Sequence, residues 1–136
     1  MYALRVQFKF EAAHRLVGHP KCGALHGHSY LVTVKLSNAS LHDGMLVDLD
    51  EVHEDLDFYI KPELDHCTLV GAGDSELSSV TAILGKHNSS FAGPTTVEVL
   101  AKHIATRIWE KCPRWAYLVR SVEIQEGFGG TAEFTL

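Results

Sequence analysis

Alternation dominates the first third of the chain. Leu4, Val6, Phe8 and Phe10 are separated by Arg5, Gln7 and Lys9, and Tyr30, Val32, Val34 and Leu36 by Leu31, Thr33 and Lys35. A period of two predicts strands with one buried face. The polar, glycine-containing stretch from Arg15 to Leu25 can join them as an antiparallel pair. The period then changes. Leu49, Val52, Leu56 and Ile60 recur at helical spacing behind Asp48, a candidate N-cap, and Pro62 stops the run. A second helix is better signalled. Pro94 precedes it, Thr95 and Glu98 stand at capping-box spacing, and Val97, Leu100, Ala101, Ile104, Ala105 and Ile108 form one apolar stripe ahead of Pro113. Between the helices, Val70 to Gly93 is rich in Gly and Ser, with room for one short helix around Val80 to Leu84. Two further strands are expected near Val122 to Glu126 and Thr131 to Leu136, with Gly127, Gly129 and Gly130 as their turn.

The order ββααββ predicts an α+β fold, a four-stranded antiparallel sheet with two helices on one face. No repeat or linker divides the chain, so residues 1–136 read as one domain. Such a sheet has two edges, and edges are normally paired, covered or blunted. Neither Tyr2 to Phe10 nor Thr131 to Leu136 carries much blunting, which points to strand pairing between subunits of a homo-oligomer.

Composition narrows the function classes. Twelve basic against 17 acidic side chains give a net charge of −5, with no basic tract. That argues against nucleic-acid binding, which rests on Lys and Arg contacts to phosphates. No apolar run approaches the roughly 18 residues of a membrane span, and Met1 to Phe10 holds no signal-peptide core, so the cytoplasm is the expected compartment. Three scattered cysteines are too few for a disulfide framework. The nine histidines are the oddity.

Three of them share a register. His26 and His28 are two apart and have the parity of Tyr30 and Val32, so both imidazoles leave by the apolar face. His14 has the parity of Phe8 and Phe10, and it joins them if the first strand runs past Ala12. Three imidazoles with a fourth position open is the arrangement of catalytic zinc, whereas structural zinc is closed by four ligands, often thiolates. Cys22 is near enough in sequence to be that fourth ligand or, alternatively, a reactive thiol beside Lys21.

Phe10-Glu11-Ala12-Ala13-His14-Arg15-Leu16, Cys22 separated by three residues from His26-Gly27-His28-Ser29-Tyr30, Leu64-Asp65-His66, Thr96 before Glu98, and Glu126 followed by glycine occur in this order along nearly the whole chain. The set resembles the 6-pyruvoyltetrahydropterin synthase superfamily. The short Cys22-to-His26 spacer resembles its bacterial branch, the 6-carboxy-5,6,7,8-tetrahydropterin synthases. Some positions depart from the pattern. Cys67-Thr68-Leu69-Val70 lacks the family's asparagine, the stretch before Pro94 is longer than usual, and Gly127 stands where a threonine often does.

The resemblance implies the tunnelling fold, in which subunits' sheets join into a barrel, often as a hexamer with active sites at subunit interfaces. It implies a zinc-dependent lyase of 7-deazaguanine (queuosine-type) biosynthesis. The substrate would be 7,8-dihydroneopterin triphosphate, converted to 6-carboxy-5,6,7,8-tetrahydropterin with release of triphosphate and acetaldehyde. A 6-pyruvoyltetrahydropterin synthase would share every site residue, and a zinc-stabilised binding module without catalysis is the reading from another class. By position, His14, His26 and His28 would hold Zn2+, and Cys22 would be the proton-abstracting base. Asp65 and His66 would complete a relay, commonly from a neighbouring subunit, although adjacent side chains ordinarily point apart. Glu126 has the parity of Val122 and Ile124, so its carboxylate is expected inside, where a pterin's amino group and ring N–H offer two donors. Thr96 falls where the family has a pterin-pocket threonine. Arg15 and Lys21 flank the metal motif as cations for a triphosphate or as merely solvated charges.

Overall fold

The two alternating runs form the longest strands. In the computed structural model, which describes residues 1–136, β1 (Tyr2–His14) and β2 (His26–Asn38) pair antiparallel from Tyr2↔Asn38 to His14↔His26. Val6, Phe8, Phe10, Ala12 and His14 of β1 are buried, with Tyr30, Val32, Val34 and Leu36 of β2. These are the even positions, because successive strand side chains leave by opposite faces. β5 (Val119–Glu126) pairs antiparallel with β2 and sets Glu126 opposite Tyr30. β6 (Thr131–Thr135) pairs antiparallel with β5 through a turn in which Gly127 takes φ +51°, a left-handed conformation that favours glycine.

The sheet has six strands, not the four expected. β3 (Cys67–Leu69) lies parallel to β1 at Ala12 and Ala13, and β4 (His87–Asn88) lies parallel to β3. The order is β4-β3-β1-β2-β5-β6, so the four long strands are antiparallel as read and the sheet as a whole is mixed. Strands of three and two residues carry no measurable period, which is why the pattern missed them. Their coverage of β1 stops at Ala12, so the outer edge of β1 from Tyr2 to Glu11 has no partner strand in this chain, and β6 forms the opposite edge.

Three helices are present rather than two. α1 (Leu49–Asp55) begins at Asp48, whose carboxylate accepts from the Asp50 N–H at 3.0 Å. It widens into a π-helical turn over Leu56–Ile60 and ends in a 3-10 turn, Lys61–Glu63, that takes Pro62 into its start. Val52, Leu56 and Ile60 face the core as predicted. α2 (Ser75–Leu84) is longer than the short helix expected there and is capped by Asp74. α3 (Val97–Lys111) buries Leu100, Ala101, Ile104, Ala105 and Ile108 against β5 and β6. Each large aliphatic side chain buried this way contributes roughly 1.5–3 kcal/mol. The N-cap of α3 is Thr96, whose hydroxyl accepts from Val99 N–H at 3.4 Å, and not Thr95. Glu98 is therefore not the reciprocal partner of a capping box, and it is exposed.

Candidate active site

The β1–β2 register sets His14 directly across from His26, with His28 two residues further along β2. The three rings meet with centroids 4.7, 4.8 and 5.1 Å apart. One ligand atom from each lies within 4.8 Å of the others, and no other residue joins that group. The Nε2 atoms of all three are buried and have no hydrogen-bond partner. Orphaned buried nitrogens are uncommon in folded proteins. Three converging on one point are the donor set a metal ion would use.

The far sides of two rings are engaged. His14 Nδ1 lies 2.9 Å from the Thr95 carbonyl oxygen and 3.2 Å from its hydroxyl, and His26 Nδ1 lies 2.7 Å from the Ala24 carbonyl oxygen. A carbonyl oxygen only accepts, so both Nδ1 atoms carry the proton and both Nε2 atoms present a lone pair. Burial lowers the pKa of His14, against the opposing pull of the Thr95 carbonyl and the Glu126 charge. That favours the neutral ring a metal requires.

Glu126 completes the cluster. It is half-buried at the end of β5, with Oε1 3.3 Å from His28 Nε2 and Oε2 3.9 Å from His14 Nε2. The inward direction read from parity is therefore the observed one. Tyr30 is a member the pattern overlooked. Its ring stacks on Phe10 at 4.7 Å and stands edge-on to His14 and His28. Its hydroxyl is buried and unpartnered, and burial together with the Glu126 charge pushes its pKa up. The shared parity of Tyr30 with His26 and His28 was the available signal.

Cys22 is a free, half-buried thiol in the loop between β1 and β2, outside the ligand group. It is held through its backbone, with its carbonyl accepting from Leu16 N–H at 2.7 Å and its N–H donating to His19 Nδ1 at 2.9 Å. Arg15 is engaged elsewhere. It forks onto Asp74 at 2.7 and 2.5 Å and reaches Glu76 at 3.0 Å, which ties the start of α2 to the residue after His14. Of the two cations considered for a triphosphate, only Lys21 carries no ion pair. Thr96 uses its hydroxyl oxygen to cap α3, while the adjacent Thr95 is the threonine that touches the triad.

Asp65 and His66 form a direct pair. Asp65 Oδ2 lies 3.1 Å from His66 Nδ1, contrary to the expectation that neighbouring side chains diverge. His66 adopts φ +58°, the left-handed region that few non-glycine residues occupy. The pair hangs from β1 through Glu11, whose N–H donates to Asp65 Oδ1 at 2.8 Å and whose carbonyl accepts from His66 N–H at 2.6 Å. That Glu11 hydrogen bond, and then His66, hold the Asp65 carboxyl below its usual range. His66 is exposed and lines a groove with Glu11, Ala13, Gly27, His28, Ser29 and Thr68, so one member of the triad borders it. It makes no hydrogen bond to the triad. Within one chain the dyad and His28 border the same groove without a hydrogen bond between them.

The remaining thiols are sequestered. Cys112 is fully buried with its pKa pushed up to about 12 by burial, and Cys67 donates to the Glu63 carbonyl at 3.4 Å.

Comparison with known proteins places these features in context. The family described as 6-pyruvoyl tetrahydropterin synthase matches residues 3–135. A 6-carboxy-5,6,7,8-tetrahydropterin synthase of Haemophilus influenzae is 31% identical over 116 residues, covering 79% of this chain and 82% of its own. One from Rickettsia bellii is 27% identical over 108 residues, covering 77% and 78%. The solved structure of Caenorhabditis elegans 6-pyruvoyl tetrahydropterin synthase superposes with a TM-score of 0.74 at 19% identity, over 99% of this chain and 95% of its own, which establishes the shared fold.

Proposed function

The chain belongs to the 6-pyruvoyl tetrahydropterin synthase family, and from that premise we propose that it is a zinc-dependent lyase. It converts 7,8-dihydroneopterin triphosphate and water to 6-carboxy-5,6,7,8-tetrahydropterin, releasing triphosphate and acetaldehyde, in 7-deazaguanine biosynthesis. The observation that carries the reading is the convergence of three unpartnered Nε2 atoms, two of them with a fixed tautomer. The named function of the relatives supports the substrate and product.

His14, His26 and His28 would hold the ion. Zinc, when bound, supplies Lewis-acid polarisation of side-chain oxygens on the substrate, which acidifies the neighbouring C–H. Cys22 takes that proton, since a thiol titrates close enough to working pH to act as a base. Glu126 receives the amino group and ring N–H of the pterin in a bidentate pair and so fixes the ring beside the triad. Thr96 still has its hydroxyl proton to donate to the ligand while its oxygen caps α3. Asp65 orients His66, which relays protons on the side chain.

The exposure of His66, with no hydrogen bond to the triad within one chain, supports a homo-oligomer, a hexamer in this reading, whose sites draw triad and dyad from different chains. The unpaired outer edges of β1 and β6 are where sheets would join. No helix is long and apolar enough to cross a membrane, in keeping with a cytoplasmic enzyme. The test is incubation of zinc-loaded protein with 7,8-dihydroneopterin triphosphate and mass analysis of the products. Acetaldehyde with the carboxy product supports the reading. A pyruvoyl product makes the protein a 6-pyruvoyltetrahydropterin synthase, and no turnover defeats both.

A further inference from the structure

The loop between β1 and β2 folds around a side chain to which the reaction assigns no role. Leu16 N–H donates to the Cys22 carbonyl at 2.7 Å, His19 N–H to the Leu16 carbonyl at 3.1 Å, and Gly23 N–H to the His19 carbonyl at 3.0 Å. Pro20 has no N–H to place. The amides of Lys21 and Cys22 share one acceptor. His19 Nδ1 accepts from Lys21 N–H at 3.2 Å and from Cys22 N–H at 2.9 Å. An accepting ring nitrogen carries a lone pair, so His19 is neutral with its proton on Nε2. This is the turn that Asn and Asp make when a side-chain oxygen caps the amides two and three residues on. Here an imidazole does it.

The knot is tight as well as bonded. A Cβ on Gly23 would stand 2.6 Å from the His19 carbonyl oxygen, a backbone atom that cannot move aside, so only glycine closes the loop here. Both backbone polar groups of Cys22 are thus tied within eight residues of the ligand His14, and its N–H is tied by a side chain alone.

We infer that His19 is the positioning residue for Cys22. Its neutral ring fixes the backbone that carries the thiol, and thereby sets the rate of the proton abstraction assigned to that thiol without touching substrate. The inference rests on the assignment of Cys22 as the base. Its direct readout, loop protection, does not depend on turnover.

The experiment compares zinc-loaded wild type with His19→Leu, which has no acceptor, and His19→Asn, whose side-chain oxygen can reach the same two amides. Amide hydrogen exchange is followed at Lys21 and Cys22, and kcat and KM are measured with 7,8-dihydroneopterin triphosphate. In His19→Leu both amides should exchange roughly five- to tenfold faster, the scale of one ordinary hydrogen bond. Its kcat should fall roughly 10- to 100-fold, as small misplacements of a reacting group do, with KM and zinc content little changed. His19→Asn should restore both. Unchanged exchange in His19→Leu overturns the inference. So does accelerated exchange with wild-type kcat, since the cap would then be structural only, and so does a failure of His19→Asn to recover kcat once its exchange is normal. Full turnover in Cys22→Ser defeats the base assignment itself, and with it the catalytic part of this inference.

Discussion

His14 Nδ1 and the Thr95 carbonyl oxygen are 2.9 Å apart across 81 residues of sequence. The contact joins the last residue of β1 to the residue before the cap of α3, and it decides which nitrogen of His14 faces the triad. The Thr95 hydroxyl, at 3.2 Å, is the weaker half of the same grip. Orienting partners of metal-ligating histidines are commonly worth about 10- to 100-fold in affinity. Thr95→Val keeps the carbonyl and loses the hydroxyl, so its zinc affinity should drop by roughly tenfold or less. His14→Ala should lose the metal. Competitive titration against a chromogenic chelator measures both, and equal losses in the two variants would contradict the ranking.

Sites drawn from two chains, as proposed, predict complementation. Cys22→Ala chains keep the dyad, and His66→Ala chains keep the thiol and triad. Each homo-oligomer should be inactive. When the two are mixed, unfolded and refolded at equal ratio, random assembly should place intact halves together in about a quarter of sites. Recovery of about that fraction of wild-type turnover supports sites shared between chains. No recovery in oligomers shown by native mass spectrometry to be mixed would mean each chain works alone.

His103 gives a pH dependence with a defined sign. Its Nε2 is buried without a partner and its ring packs on Phe91 at 4.5 Å. Burial lowers its pKa below 6.5. As pH falls through 6.5 the unfolded chain therefore takes up a proton that the folded chain refuses, and stability declines until the lower folded pKa is reached. The slope can reach at most about 1.4 kcal/mol per pH unit for one group. Replacement by a residue that does not titrate removes it. Chemical denaturation between pH 7 and 5 should show a shallower loss in His103→Phe than in wild type. Parallel curves would rule out this histidine as the source.

Which parts of this architecture were legible depended on how local their causes are. The four long strands and the triad follow from a period of two, which also carried His14, His26, His28 and Glu126 to one face. The strands β3 and β4 were invisible because three and two residues show no period. Capping-box spacing puts the α3 cap one residue early, at Thr95, whereas Thr96 caps the helix and Thr95 meets His14. The Asp65–His66 contact comes with a left-handed φ at His66, which no periodicity in the sequence announces. Arg15 was readable as a cation, but its partner Asp74 lies 59 residues away in a segment with little pattern.

That same segment secures the dyad. Lys86 Nζ donates to the Asp65 carbonyl at 3.1 Å and Asn88 Nδ2 to the Glu63 carbonyl at 2.9 Å, so two side chains from around β4 hold the turn that ends in His66. The backbone adds Thr68 N–H to Lys86 carbonyl at 3.1 Å and Val70 N–H to Asn88 carbonyl at 2.8 Å. A left-handed non-glycine residue costs of order 1–3 kcal/mol and persists only where its surroundings impose it. Removing the imposed contacts should let His66 relax. In Lys86→Met, the Glu11 amide that donates to Asp65 Oδ1 should lose exchange protection, and kcat should fall with zinc content intact. Asn88→Leu should act in the same direction, and the double variant should exceed either single. The decisive comparison is against Cys112→Ala, which loosens packing far from the dyad. If its Glu11 exchange rises as much as that of Lys86→Met at equal loss of stability, the clamp on Asp65 is no more than general packing.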